Sequence, residues 1–328
     1  MSTTSSTADL GAFVGAAQPA PQRYERAAVA PAAVVAPTPT AFLPAAPPPR
    51  TRHSAWAHHI IQRARSAPLS LWLAWGVIAL VALWAVVPGV FTSYSATVGV
   101  AGQQLQAPSA AHWLGTDALG RDGYARLVFG AVHSLSGAFL AVAVGLVLGT
   151  LLGVLAGSIG GWVEDVIMRT VDVLLSVPPL LLSLSIIIIL GFGTLNAAVA
   201  VGVASVASFA RLTRSEVVRV RRSEYVEAAF GSGGRFGAVL WRHVLPNSLT
   251  SVIAMAALQF GSAILSISTL GFLGYGAPPP TPEWGLLIAE GRNYIATAWW
   301  LTTVPGLVVV AVVLAANRIS AALTQGRA

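Results

Sequence analysis

The sequence of 328 residues contains neither cysteine nor lysine. Without cysteine, the protein can form no disulfide bond and no metal site that uses thiolate ligands. Its 19 basic residues are all arginines, whereas a phosphate-binding loop of the Walker A type requires a lysine. The chain therefore cannot hold an ATP site of that type, and any ATPase that drives it must be a separate polypeptide.

Charged residues are scarce as well. Only 9% of the residues are charged and 55% are hydrophobic, whereas about 25% of the residues in a soluble globular protein are charged. We therefore expect lipid to surround most of the chain. The net charge of +7 comes from arginines that flank long apolar runs. This is the usual pattern of a membrane protein and gives no reason to expect nucleic-acid binding.

Uncharged runs predict six membrane-spanning helices, since each span needs about 20 apolar residues. We place them at residues 69–90, 133–157, 166–190, 194–211, 249–272 and 297–317. Sixteen of the 19 arginines then lie on the same side of the membrane as the N-terminus. Because arginine is concentrated on the cytoplasmic side of membrane proteins, we predict that both termini are cytoplasmic.

The chain divides into an N-terminal tail and a transmembrane domain. Residues 1–55 are rich in alanine and proline, so we predict a disordered cytoplasmic tail that buries too little apolar surface to fold. Residues 56–328 are predicted to form the transmembrane domain.

In the second span, glycine recurs at every fourth position from 145 to 157, which predicts close packing against another helix.

The connection between the fourth and fifth spans, residues 211–247, is long and mixed in composition. Glu227, Ala228 and Ala229 favour a helix, a glycine-rich turn interrupts it, and an amphipathic stretch follows. We predict that Pro246 ends this second short helix, because proline cannot continue the helical hydrogen bonding. Two short helices joined by a sharp turn would make a rigid projection suited to docking on another protein.

This connection resembles the EAA loop of the permeases of binding-protein-dependent ABC transporters. The resemblance rests on the Glu-Ala-Ala triplet, on a glycine four residues after it, and on a Leu-Pro pair twelve residues beyond that glycine. In the family, this loop docks on the ATPase subunit. The residues that the resemblance assigns to this coupling loop are Glu224, Tyr225, Glu227, Ala228, Ala229, Gly233, His243, Leu245, Pro246 and Asn247.

Two other segments resemble the C-type subunits of the dipeptide, oligopeptide and nickel importers of that family. The segment from His112 to Asp122 resembles the external motif after the first span, and residues 271–285 resemble the last external loop. The matching positions of the external motif are Gly115, Asp117, Gly120, Arg121 and Asp122. The resemblance implies an all-α membrane protein with six transmembrane helices and the type I importer fold, located in the bacterial cytoplasmic membrane.

By the same resemblance, the chain forms half of a translocation path for dipeptides or oligopeptides. A homologous second permease subunit supplies the other half. Two ATP-binding subunits carry ATP and magnesium, and an extracytoplasmic substrate-binding protein delivers the ligand. We expect no cofactor on this chain itself. Within the family, nickel or another small solute is the alternative substrate.

Ion pairs are expected where opposite charges lie one helical turn apart. Arg169 can pair with Asp172 just inside the third span, and a gate or a substrate contact is the alternative role for these residues. Pro178 and Pro179 must kink or open the same helix.

Two further pairs precede the second span. Asp117 and Arg121 are four residues apart, as are Asp122 and Arg126. We predict that both pairs form and that they fix a short external helix. Contact with an extracytoplasmic binding protein is the alternative role for these residues.

Other functional classes find less support in the sequence. Histidines and acids show no spacing typical of a metal site, and no residue is assigned a catalytic role, so we do not expect an enzyme. A stand-alone secondary transporter or channel is the main alternative. Such a protein usually carries acidic residues deep in its spans and often an internal repeat, and the sequence shows neither. A non-transporting scaffold would leave the projection at residues 211–247 without a partner.

Overall fold

Helices make up all the regular secondary structure in residues 68–325, which are the residues that the computed structural model describes. The predicted tail at residues 1–55 lies outside the described residues. The helices are α1 (Leu69–Val86), α2 (Pro88–Phe91), α3 (Gly123–Ile159), α4 (Gly161–Ser176), α5 (Pro179–Leu190), α6 (Thr194–Arg221), α7 (Glu224–Gly231), α8 (Phe236–Val239), α9 (Leu245–Phe272), α10 (Trp284–Gly291) and α11 (Trp300–Gln325).

Five of these segments are long and apolar enough to cross a membrane, namely α1, α3, α6, α8 continued into α9, and α11. A π-helical turn at Leu240–Val244 joins α8 to α9. The helices α4 and α5 add a sixth candidate span as a bent pair, with an angle of 96° between them. The all-α fold predicted from the sequence is confirmed, and the six spans are reached by counting this pair as one.

The third span is therefore broken rather than merely kinked. Its break falls at Pro178, whose ψ of 130° is extended. A residue that precedes proline avoids the helical conformation, and two successive prolines remove two backbone donors. Pro179 then begins α5, where a missing N–H carries no cost.

Two predicted spans were too short because charged residues were taken as boundaries. The second span begins at Gly123 rather than at residue 133, since Asp122 caps α3 by accepting a hydrogen bond from the Ala125 N–H at 2.7 Å. Its Arg126 is buried among acidic partners instead of marking the membrane surface. The fourth span continues to Arg221, ten residues past its predicted end.

The helices α3 and α6 pack along the predicted glycine stripe. A Cβ atom added to Gly149 would lie 2.4 Å from the Cβ of Phe209, and one added to Gly153 would lie 2.5 Å from the Cβ of Thr213. No side chain fits at such distances, because protein interiors are already close-packed. The stripe therefore brings two helix backbones together, as small residues commonly do in membranes.

The bundle has two different ends. The loops at residues 92–122 and 273–299 contact each other where α3 and α6 begin, and we call this the loop end. The helices α3 and α6 run to the opposite end, where α7 and α8 follow. The main apolar cluster between the ends contains side chains of α1, α3, α6, α9 and α11.

Candidate functional site

The segment between α6 and α9 folds into two short helices joined by a sharp turn. We call residues 224–247 the knuckle. Its turn depends on Gly233, whose φ of 84° lies in the left-handed region that favours glycine. The next residue, Gly234, donates its N–H to the carbonyl oxygen of Ala229 at 3.0 Å. The predicted helix, turn and helix are thus present in the structure.

A small apolar core holds the knuckle to the ends of the spans. Its buried members are Val217, Val220, Val226, Val239 and Val244. Burying one such side chain stabilises a fold by roughly 1.5–3 kcal/mol.

A side chain from the end of α6 adds a polar connection. The Nη1 atom of Arg221 donates to the carbonyl oxygens of Gly157 and Ser158 at 2.8 and 2.7 Å. The same guanidinium lies 5.8 Å from the centre of the Phe236 ring at the start of α8, so Arg221 connects the knuckle to both α3 and α6.

The outer surface of the knuckle carries unpaired acids beside exposed aromatic rings. Glu224, Tyr225, Glu227 and Ala228 are all exposed. Neither glutamate forms an ion pair or a side-chain hydrogen bond with any residue between 68 and 325. Trp241 is 74% exposed. Aromatic side chains are enriched in surfaces that bind another protein.

The prediction that Pro246 ends a helix is wrong. In the structure it lies in the first turn of α9, directly after the π-helical turn. There the Leu245 N–H bonds to the carbonyl oxygen of Leu240, five residues back. The wider turn accommodates proline, which has no N–H to place in the usual ladder. The next residue, Asn247, donates its side-chain amide to the His243 carbonyl oxygen at 2.7 Å.

A buried charged cluster occupies the loop end. The predicted pair forms, with the Nε atom of Arg121 donating to Asp117 at 2.6 Å. Arg126 joins the cluster by pairing with Asp117 and, at 2.7 Å, with Glu290. Burial alone raises the pKa of Asp117, but hydrogen bonds from the Arg121 backbone and from Arg126 outweigh it, so this pKa lies below its usual value. The cluster joins the loop before α3 to α10.

The predicted pair between Asp122 and Arg126 does not form. Asp122 instead caps α3 and accepts a hydrogen bond from His112 Nδ1 at 2.8 Å. No helix forms over residues 112–122 of the motif either. The motif folds as a hydrogen-bonded loop, in which Gly115 and Gly120 take positive φ values of 66° and 75°.

The predicted pair between Arg169 and Asp172 is also wrong. Asp172 pairs with Arg211 of α6, while Arg169 forms no ion pair within residues 68–325. A second connection of the same kind joins Glu164 to Arg214, whose Nε donates at 2.6 Å. Since α4 packs against α6, Glu164 and Asp172 pair with arginines of that helix rather than of their own. Two ion pairs thus join α4 to α6 beside the knuckle.

Glu283 is a buried acid that the sequence reasoning did not single out. It is fully buried and caps α10, accepting hydrogen bonds from the backbone N–H groups of Gly285 and Leu286 at 2.9 and 3.0 Å. Ser134 of α3 donates to the same carboxyl group. Burial raises the pKa of Glu283, and these hydrogen bonds oppose the shift only in part. Its position just before a short apolar helix was the available signal for a capping residue.

Side chains that could bind a metal do not cluster in the described part of the chain, where no group of three or more histidines, cysteines or acids has suitable geometry. Because the surface of the knuckle is exposed and its glutamates are unpaired among the described residues, the candidate site is a docking surface at one end of the bundle. The broken α4–α5 span and its two ion pairs lie next to it.

Comparison with known proteins supports this description. A family model described as the binding-protein-dependent transport system inner membrane component matches residues 149–327. The chain belongs to this family. It is accordingly a transport permease that crosses the bacterial inner membrane several times. The matched region contains α4 to α11 and the whole knuckle.

Curated relatives of this permease are similar over most of their length. The dipeptide transport system permease protein DppC of Alkalihalophilus pseudofirmus is 39% identical over 84% of this chain and 91% of its own. The glutathione transport system permease protein GsiD of Pectobacterium atrosepticum is 39% identical over 65% and 70% of the two chains. The probable D,D-dipeptide transport system permease protein DdpC of Escherichia coli is 39% identical over 62% and 68%.

A solved structure shares the fold. The crystal structure of an amino acid ABC transporter with histidines covers 62% of this permease and 94% of its own matched chain, with a TM-score of 0.50 and 15% identity. At that identity the similarity concerns the fold alone, and it agrees with the predicted importer permease fold.

Proposed function

We propose that the permease forms one half of the translocation path of an ATP-driven importer of short peptides, and that the knuckle couples it to an ATPase subunit. The knuckle surface carries this proposal. Its acids are exposed and unpaired, while its core and Arg221 hold it rigidly to the spans. A rigid projection with a free surface can transmit the movement of a partner into the membrane.

Each residue assigned to the coupling loop has a proposed role in docking on the ATPase or in transmitting its movement. Glu224, Tyr225, Glu227 and Ala228 would contact the ATPase, because they are exposed on α7. Ala229 and Gly233 would fix the turn that presents this helix, through the hydrogen bond and the positive φ described above.

The start of α9 would transmit the movement of the knuckle into the membrane span. His243, Leu245, Pro246 and Asn247 lie where the π-helical turn passes into that span. Closure of the ATPase pair around ATP and magnesium would shift the knuckle. The bundle would then change between inward- and outward-facing states. The sequence has no lysine, and a Walker A loop needs one, which supports a nucleotide site on the partner subunits.

The proposed orientation follows from the arginines. The knuckle end and both termini would be cytoplasmic, and the loop end would face the outside. The loop that contains Gly115, Asp117, Gly120, Arg121 and Asp122 would then lie where an extracytoplasmic binding protein delivers its ligand. A homologous second permease subunit would complete the path.

The substrate class rests on the named relatives. These are permeases for dipeptides, D,D-dipeptides and glutathione, which share a short peptide backbone. We therefore assign short peptides rather than metal ions to this permease.

Purification and uptake together test the proposal. The tagged permease, expressed with its second permease and ATPase subunits, should retain the ATPases in mild detergent. In proteoliposomes, uptake of labelled dialanine should require both ATP and the binding protein. A permease that purifies without ATPases, or that imports dialanine on an ion gradient alone, would overturn the proposal in favour of a secondary transporter.

A further inference from the structure

A cavity lined by apolar and uncharged polar side chains opens between the spans. Its volume is about 280 Å³, and it lies among α3, α5, α6 and α9. None of the described residues that line it is charged. The polar side chains that face it are Ser183, Ser205, Ser208, Gln259, Ser262 and Ser266.

The cavity lies deep in the membrane. Ser266 and Gln259 are six and thirteen residues before the end of α9 at Phe272, which corresponds to about 9 and 20 Å at 1.5 Å per residue. Ser205 and Ser208 are at similar depth, roughly 17 to 21 Å from the start of α6. Since the hydrocarbon core is about 30 Å thick, these side chains lie near its middle.

Four of these six polar side chains have no hydrogen-bond partner among the described residues. Ser183 donates to the Pro179 carbonyl oxygen at 2.9 Å. Ser205 donates to the carbonyl oxygen of Gly202. The side chains of Ser208, Gln259, Ser262 and Ser266 make no hydrogen bond with any residue from 68 to 325. An unsatisfied polar group in hydrocarbon costs several kcal/mol. Such groups in a membrane protein usually face water or a transported solute.

We propose that this cavity is the permease's part of the substrate path, and that it binds the amide N–H and C=O groups of a peptide backbone. The inference rests on the proposed function and extends it to a site. A serine hydroxyl and a glutamine amide can each donate and accept, as a peptide bond does. Because the lining carries no charge, it does not select among peptides by the charge of their side chains.

The volume of the cavity agrees with a substrate path that two permease subunits enclose together. A complete ligand pocket usually encloses about 300–1,000 Å³. The cavity of about 280 Å³ is at the lower limit of that range. A homologous subunit that contributes a similar surface would enclose a dipeptide between the two.

The first test removes hydrogen-bonding groups from the complete transporter in proteoliposomes. Gln259→Leu and Ser266→Ala should each lower the maximal rate of dialanine uptake at saturating binding protein by about fivefold, since each removes hydrogen bonds to the solute. Ser185→Ala is the matched control, because Ser185 is exposed on α5 and donates only to the Leu181 carbonyl oxygen.

The second test introduces a charge and compares two peptides in one variant. Gln259→Glu should reduce uptake of alanyl-glutamate by about fivefold or more relative to alanyl-lysine, because like charges repel strongly in a site of low dielectric constant. Each rate is normalised to binding-protein occupancy. The ratio does not depend on how much of the variant folds.

The outcomes separate the two proposals. If all three cavity variants match Ser185→Ala in rate and wild type in the peptide ratio, the cavity is not on the path, although the peptide importer stands. If the wild-type transporter itself imports no dialanine, both proposals fail.

Discussion

The two ends of the bundle use arginines and acids in opposite ways. At the loop end, Asp117, Arg121, Arg126 and Glu290 pair with one another and three of them are buried. At the knuckle, Glu224 and Glu227 are exposed and have no ionic partner among the described residues.

This difference separates structural charges from charges that remain available to another protein. Removing one member of a buried cluster leaves its partners desolvated and unpaired, which is strongly destabilising. Removing an exposed acid costs the folded subunit little. Any functional loss at the knuckle must then come from an interaction that forms in the assembled transporter.

Of the substitutions proposed, replacement of Arg126 by leucine should destabilise the subunit most. Arg126 is 1% exposed and contacts both Asp117 and Glu290. Breaking a buried ion pair from one side costs about 3–5 kcal/mol. We expect the variant to be nearly absent from membranes, or to unfold at a clearly lower temperature in detergent.

Arg292→Leu provides the control at the same end of the bundle. Arg292 is exposed and lies 5.7 Å from the ring of Phe272, with no acidic partner in residues 68–325. Its loss should cost no more than about 1 kcal/mol. Equal abundance and equal melting temperatures for the two variants would mean that the buried cluster does not hold the loop end together.

A substitution at Gly233 should abolish transport while leaving the subunit in the membrane. The φ of 84° at this position is strained for valine, although no atom of residues 68–325 lies close enough to hinder a Cβ there. Gly233→Val should therefore lose peptide uptake at normal membrane abundance. Gly233→Asn should retain most of it, because asparagine tolerates positive φ. Normal uptake by the valine variant would contradict the model of a rigid knuckle.

The sequence predicted the knuckle well because its signals are local. Helix formers, a glycine at a turn and a return to apolar periodicity each act within a few residues. The glycine stripe of α3 was predictable for a similar reason, since four-residue spacing places one face of a helix against its neighbour.

Apart from the helix end predicted at Pro246, where a local π-helical turn decides, the errors arose where the deciding contact is distant in sequence. Asp172 pairs with Arg211, 39 residues away, and not with Arg169 on its own helix. Arg126 pairs with Glu290 from the far end of the chain. The cavity between α6 and α9 likewise depends on how spans are placed side by side. Spacing along one helix could not reveal these contacts, because it carries no information about which helices are neighbours.

The effect of Glu227→Ala on ATP hydrolysis tests the central claim most directly. If Glu227 contacts the ATPase, its loss should lower both peptide uptake and the stimulation of ATPase activity by loaded binding protein more than tenfold, as an interfacial charge typically contributes about 2–5 kcal/mol. Asp165→Ala is the control, since Asp165 is also exposed and unpaired among the described residues but lies on α4, outside the knuckle. Basal ATPase activity and membrane abundance should match wild type in both variants. Stimulation of the Glu227→Ala transporter within about twofold of wild type would contradict the assignment of the knuckle as the coupling surface at this residue.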